Sequence, residues 1–107
     1  MKNTNTFVCN IGAMTPAQKV RYRELTGMLK ESAQVEDLQN GYRLNLPDTL
    51  WMQAAEFVTF ERLCCPFLTF QLGLHGNSVY LDLCGDEGVR EFLQHELGLS
   101  AISPPAS

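Results

Sequence analysis

The stretch Leu68-Thr69-Phe70-Gln71-Leu72-Gly73-Leu74-His75-Gly76-Asn77-Ser78-Val79-Tyr80-Leu81-Asp82-Leu83-Cys84 decides the fold class. Leu68, Phe70, Leu72 and Leu74 alternate with Thr69, Gln71 and Gly73. After the turn residues His75-Gly76-Asn77-Ser78, Val79, Leu81 and Leu83 alternate with Tyr80, Asp82 and Cys84. Successive strand side chains point to opposite faces of a sheet, so this is a hairpin with one apolar and one mostly polar face. An antiparallel sheet of that kind covers its apolar face with helices and leaves the other to solvent or a partner.

The flanking sequence supplies both the second hairpin and the helices. Tyr42, Leu44 and Leu46 alternate with Arg43 and Asn45, and Asn40-Gly41 reads as the two central residues of a type I′ turn. The partner strand, about 35–39, is interrupted by Glu36 and Asp37. Between the hairpins, Asp48 is expected to cap a helix from Thr49 to Cys64 or Cys65. Its stripe is Trp51, Ala54, Ala55, Val58 and Arg62, with Phe57 and Phe60 beside it, and Pro66 stops it. Upstream, Thr15-Pro16-Ala17-Gln18 is a capping box with proline at the first helical position. That helix should reach about Ala33 on the line Ala17, Val20 or the Arg21 stem, Leu25, Met28 and Leu29.

Downstream, Gly85-Asp86 opens a third helix carrying Val89, Phe92, Leu93, Glu96 and Leu97, closed by Gly98. Phe7 to Ile11 reads as a first strand, with Phe7, Cys9 and Ile11 on one face. The order β-α-β-β-α-β-β-α predicts a two-layer α+β fold, with a mainly antiparallel sheet and helices on one face.

The chain has 107 residues, 45% of them hydrophobic, and a net charge of -4. That is one domain, read as residues 1–98, with 99–107 as a flexible tail carrying Pro104 and Pro105. No apolar run approaches the roughly 20 residues of a transmembrane helix, and the start, Met1 to Thr6, leads into no signal-like stretch. A cytoplasmic location without membrane attachment is the expectation. Nucleic acid is not an expected partner, because backbone binding needs a basic surface. Half the positive charge, Lys19, Arg21, Arg23 and Lys30, falls on the first helix and reads as a solvated face. An open strand edge makes a homodimer a candidate assembly.

Four cysteines, Cys9, Cys64, Cys65 and Cys84, are too sparse for a disulfide scaffold. Adjacent Cys64 and Cys65 at a helix end are the strongest chemical signal. Thiolates suit soft ions such as Zn(II), Cu(I), Hg(II) or As(III). Cys9, on a core-facing strand, is a candidate third sulfur. Cys84 has the parity of the polar face. Adjacent side chains diverge on a regular helix, so one ion needs an irregular backbone there, which Pro66 can supply. The partial negative charge at a helix C-terminus raises a thiol pKa, which is the reverse of redox activation, although Arg62 offsets it in part. Glu61 and Arg62 are the charged residues placed to support the pair. His75 and His95 read as exposed imidazoles, and no other catalytic motif is present.

The block Phe60-Glu61-Arg62-Leu63-Cys64-Cys65-Pro66-Phe67, followed by its strand, resembles a group of small bacterial proteins of unknown function that share a Glu-Arg-x-Cys-Cys-Pro-Phe core. Cys9 followed by Thr15, the Gly41-Tyr42-Arg43-Leu44 strand, Gly88-Val89 and Glu91-Phe92-Leu93 are similar too, so the resemblance spans residues 7–97. It implies that Cys9, Cys64, Cys65, Glu61 and Arg62 are the positions to watch, in proteins some of which occur beside heavy-metal or metalloid resistance functions, and it supplies no established activity. Cys84 and the histidines lie outside the pattern.

Three readings follow. The first is a binder, carrier or sensor of a soft metal or metalloid, not a catalyst, with Cys9, Cys64 and Cys65 as ligands. The second is a thiol redox protein. The third is a structural or protein-interaction module whose cysteines are inert buried hydrophobes.

Overall fold

The computed structural model describes residues 10–99. The described elements are a 3-10 turn at Ile11–Ala13, α1 (Pro16–Ser32), β1 (Gln34–Leu38), β2 (Gly41–Pro47), a 3-10 turn at Asp48–Leu50, α2 (Trp51–Cys64), β3 (Thr69–His75), β4 (Ser78–Cys84) and α3 (Val89–Leu97). The four strands form one antiparallel sheet in the order β1-β2-β4-β3. The α+β architecture, with helices on the sheet, is the one expected. Both hairpins form, and they join through their second strands.

Register explains the two faces. Tyr42 pairs with Leu83, Leu44 with Leu81 and Leu46 with Val79, while β3 sets Phe70, Leu72 and Leu74 opposite Leu83, Leu81 and Val79. All of these side chains except Leu74, which is exposed, build an apolar face against Leu25 and Leu29 of α1, Ala54 and Phe57 of α2, and Val89, Leu93 and Leu97 of α3. The opposite face carries Arg43 beside Asp82, joined by two hydrogen bonds of 2.7 and 3.0 Å, with Arg43 stacked over Tyr80 at 4.7 Å.

α1 begins at its capping box: the Gln18 N–H donates to the Thr15 hydroxyl, and the Thr15 N–H donates to the Gln18 side chain. Only Leu25 and Leu29 of its expected apolar line are fully buried, and Val20 is exposed. Arg21 instead reaches across to Glu56 on α2 through bonds of 2.9 and 2.8 Å. α3 closes at Gly98, at positive φ, as expected, but it opens at Gly88, also at positive φ, three residues later than the expected Gly85-Asp86 start.

Several local expectations change. The first hairpin turns at Gln39-Asn40, one residue earlier than expected, with Leu38 opposite Gly41. Gly41 therefore serves close approach and not turn dihedrals: a Cβ there would collide with the Leu83 carbonyl oxygen. Arg90 of α3 ties this turn down, donating to the carbonyls of Leu38 and Gly41 at 2.9 and 3.3 Å. Asp48 does not cap α2. It starts a 3-10 turn, and its N–H donates to the Asn77 carbonyl at 3.2 Å.

At the N-terminal end, Phe7 to Cys9 of the expected first strand lie outside the described residues, and Ile11 opens a 3-10 turn instead of closing a strand. Leu99, assigned to the tail by composition, is buried and its N–H donates to the Leu93 carbonyl. Residues 100–107 lie outside the described part. Among the described residues, no helix is long and apolar enough to cross a membrane.

Candidate metal centre

The buried face of α2 is Ala54, Phe57, Glu61 and Cys64. That line follows the three- and four-residue spacing of a helix. It is rotated from the expected stripe: Trp51, Ala55 and Val58 are half-buried and Arg62 is exposed. The rotation carries Glu61 into the core at 1% exposure, one turn before Cys64. Counting apolar residues missed this line because one member is a carboxylate.

Pro66 ends the helix as expected. Cys64 is its last residue, and Cys65 leaves helical geometry at φ -130 and ψ 65. The Cys65 N–H still closes onto the Glu61 carbonyl at 2.7 Å, and the Leu68 N–H donates to the Cys65 carbonyl at 3.1 Å. The chain thus turns tightly around Cys65. This is the irregular backbone that adjacent cysteines need, and it brings the two sulfurs to 3.8 Å. Both cysteines are fully buried.

Glu61, Cys64 and Cys65 each offer a ligand atom, and these atoms lie within 4.8 Å of one another. From α1, the Tyr22 hydroxyl donates to Glu61 Oε1 at 2.6 Å, and the Tyr22 ring stacks on Phe57 with centroids 5.8 Å apart. Burial pushes the Glu61 carboxyl above its usual range. The hydrogen bonds from Tyr22 and Cys65 oppose that shift, and the charge of Glu96 adds to it. The group is a compact buried set of two sulfurs and a carboxylate, oriented by a tyrosine. Tyr22 carries no signal in the sequence, since it sits beside the α1 apolar line and acts across 39 positions.

The other candidates separate from this group. Cys9 lies outside the described residues. Its neighbour Asn10 is anchored at the centre, with its N–H donating to the Cys64 carbonyl at 2.7 Å. Arg62 is exposed, off the buried face. Cys84 lies on the polar side of the sheet, opposite Gly41 and Thr69, where burial and then the charge of Asp82 raise its thiol pKa. His75 and His95 are exposed. The chain matches no protein-family model, no curated protein and no solved structure.

Proposed function

We propose that this protein binds a soft or borderline metal or metalloid ion through Cys64 and Cys65, with Glu61 as a third donor and Cys9 as a fourth, in the reducing cytoplasm. The observation that carries this reading is the convergence of one carboxylate and two sulfurs within 4.8 Å at a buried helix end. Buried carboxylates are costly unless paired or bound to a cation. Cys9 is included because the next residue, Asn10, is bonded to the Cys64 carbonyl.

The sulfur separation narrows the geometry. With metal–sulfur bonds of about 2.3 Å, sulfurs 3.8 Å apart subtend roughly 110° at the ion. A linear two-coordinate ion needs about 4.6 Å on the same bond length. The pair therefore suits a tetrahedral ion such as Zn(II), or a pyramidal centre such as As(III), better than linear Cu(I) or Hg(II). A closed, buried set suits an ion that is retained or sensed, because catalytic metals keep an open position. Tyr22 would hold Glu61 in the ligating orientation, as the outer partners of metal ligands do.

Metal analysis of protein purified without added metal, followed by Zn(II), Cu(I) and Hg(II) titration and As(III) binding, tests the reading. One tight equivalent is expected, lost in Cys64→Ser and Cys65→Ser. Unchanged affinity in both variants would overturn it.

A further inference from the structure

We infer that β3 is a self-pairing edge and that two copies of this chain associate through it into one continuous antiparallel sheet. The sheet has two edges among the described strands, β1 and β3, and they differ in kind. β1 is five residues long and carries Glu36 and Asp37, the latter held by Arg90 at 3.0 Å. Short, charged edges resist pairing with another chain. β3 is seven residues, Thr-Phe-Gln-Leu-Gly-Leu-His, with no Asp, Glu, Lys, Arg or Pro. It pairs with β4 residue for residue, without a bulge, and Leu74 is 56% exposed. Long, flat, uncharged edges with exposed apolar side chains are templates for strand addition.

Backbone alternation fits a two-fold partner. The two-residue turn at Gly76-Asn77 makes His75 and Ser78 a hydrogen-bonded pair. By alternation, Phe70, Leu72 and Leu74 direct their N–H and C=O groups away from β4, where no described strand pairs with them. An antiparallel copy centred on Leu72 sets Leu72 against Leu72 and Phe70 against Leu74. Each of these is then a hydrogen-bonded pair. The same three side chains lie on the face that the helices cover, where Phe70 and Leu72 pack against the core and Leu74 is left exposed, so a second copy carries the apolar layer across the two-fold axis and covers Leu74. No charge meets a like charge along the seam. A second copy is thus complementary in hydrogen bonding, side-chain facing and charge.

One strand pair buries less than the roughly 800 Å² per partner of a standard interface, so the dimer is expected to be concentration-dependent. Sedimentation of the full chain up to about 1 mM tests the inference, with amide exchange by NMR at high and low concentration. The expected result is a monomer–dimer equilibrium in which the Phe70, Leu72 and Leu74 amides gain protection as dimer forms. Leu74→Lys places a charge in the seam, and Leu74→Pro removes an outward N–H without touching the bonds to β4. Both should remain folded by circular dichroism and shift the chain to monomer, with at least a tenfold weaker association, while Glu36→Gln on β1 leaves it unchanged. Should one variant misfold, the other and the amide protection still decide. A full chain that stays monomeric at about 1 mM would overturn the inference. So would a dimer unaffected by both variants, or amides at 70, 72 and 74 equally protected at all concentrations, which would indicate cover by residues 1–9 of the same chain. Metal binding by the monomeric variants should persist, so this test stands apart from the metal reading.

Discussion

The Tyr22 hydroxyl donates a 2.6 Å hydrogen bond to Oε1 of Glu61, joining the middle of α1 to the buried end of α2. It is the contact that orients the only fully buried glutamate among the described residues. Tyr22→Phe keeps the ring stacked on Phe57 and deletes only this donor. The expected cost is about 1–2 kcal/mol, since one partner of a buried polar group is removed. Urea unfolding measures it, and an unchanged midpoint would contradict the assignment.

Glu61 also sets a pH dependence. Its carboxyl is raised above the usual glutamate value of 4.5, chiefly by burial. The folded state therefore holds a proton that the unfolded state releases. Its contribution is fully favourable below the unfolded value, falls as pH rises from there to the folded value, and then levels off. Glu56 works in the opposite sense: its hydrogen bonds to Arg21 hold its carboxyl below the usual range, so its contribution is lost on acidification. Glu61→Gln mimics the protonated acid. In apo protein it is expected to remove the stability loss above the glutamate range and to change little at more acidic pH. Unfolding free energies of both proteins across pH check this, and parallel profiles would contradict it.

Of the described glycines, Gly41 leaves the least room for a side chain. An alanine methyl would meet the Leu83 carbonyl and the Cys84 Cα, both backbone atoms that cannot swing aside. Gly41→Ala is expected to cost about 3 kcal/mol by forcing β2 from β4. Gly76 offers a control: its φ is 63 with open space around it, so Gly76→Asn should be nearly neutral. Denaturant midpoints of the pair decide whether close approach or turn geometry is the constraint at Gly41.

The hairpins, the α1 capping box, the glycine stop of α3 at Gly98 and the proline stop after Cys65 are legible because each is a local pattern. The strand order was not, because it depends on which hairpin strands meet in space. The type I′ expectation at Asn40-Gly41 misplaced the turn by one residue, since a glycine's need for room looks the same in sequence as a need for positive φ. At the centre, Cys64 and Cys65 stood out as an adjacent pair. In sequence Glu61 reads only as a supporting charge, because its burial follows from the rotation of α2 against α1. Tyr22 was invisible for the same reason: its role exists only once the two helices pack.

The proposed site has Cys64 and Cys65 jointly ligating one ion at a near-tetrahedral angle. Electronic absorption of the Co(II)-substituted protein tests this most directly, because it reports sulfur ligation and coordination geometry together. Intense sulfur-to-cobalt charge-transfer bands and strong tetrahedral ligand-field bands are expected at one equivalent. The charge-transfer intensity should weaken in Cys64→Ser and in Cys65→Ser, and the ligand-field bands should shift in Glu61→Gln. Octahedral, sulfur-free cobalt spectra, or sulfur bands untouched by both cysteine substitutions, would contradict it.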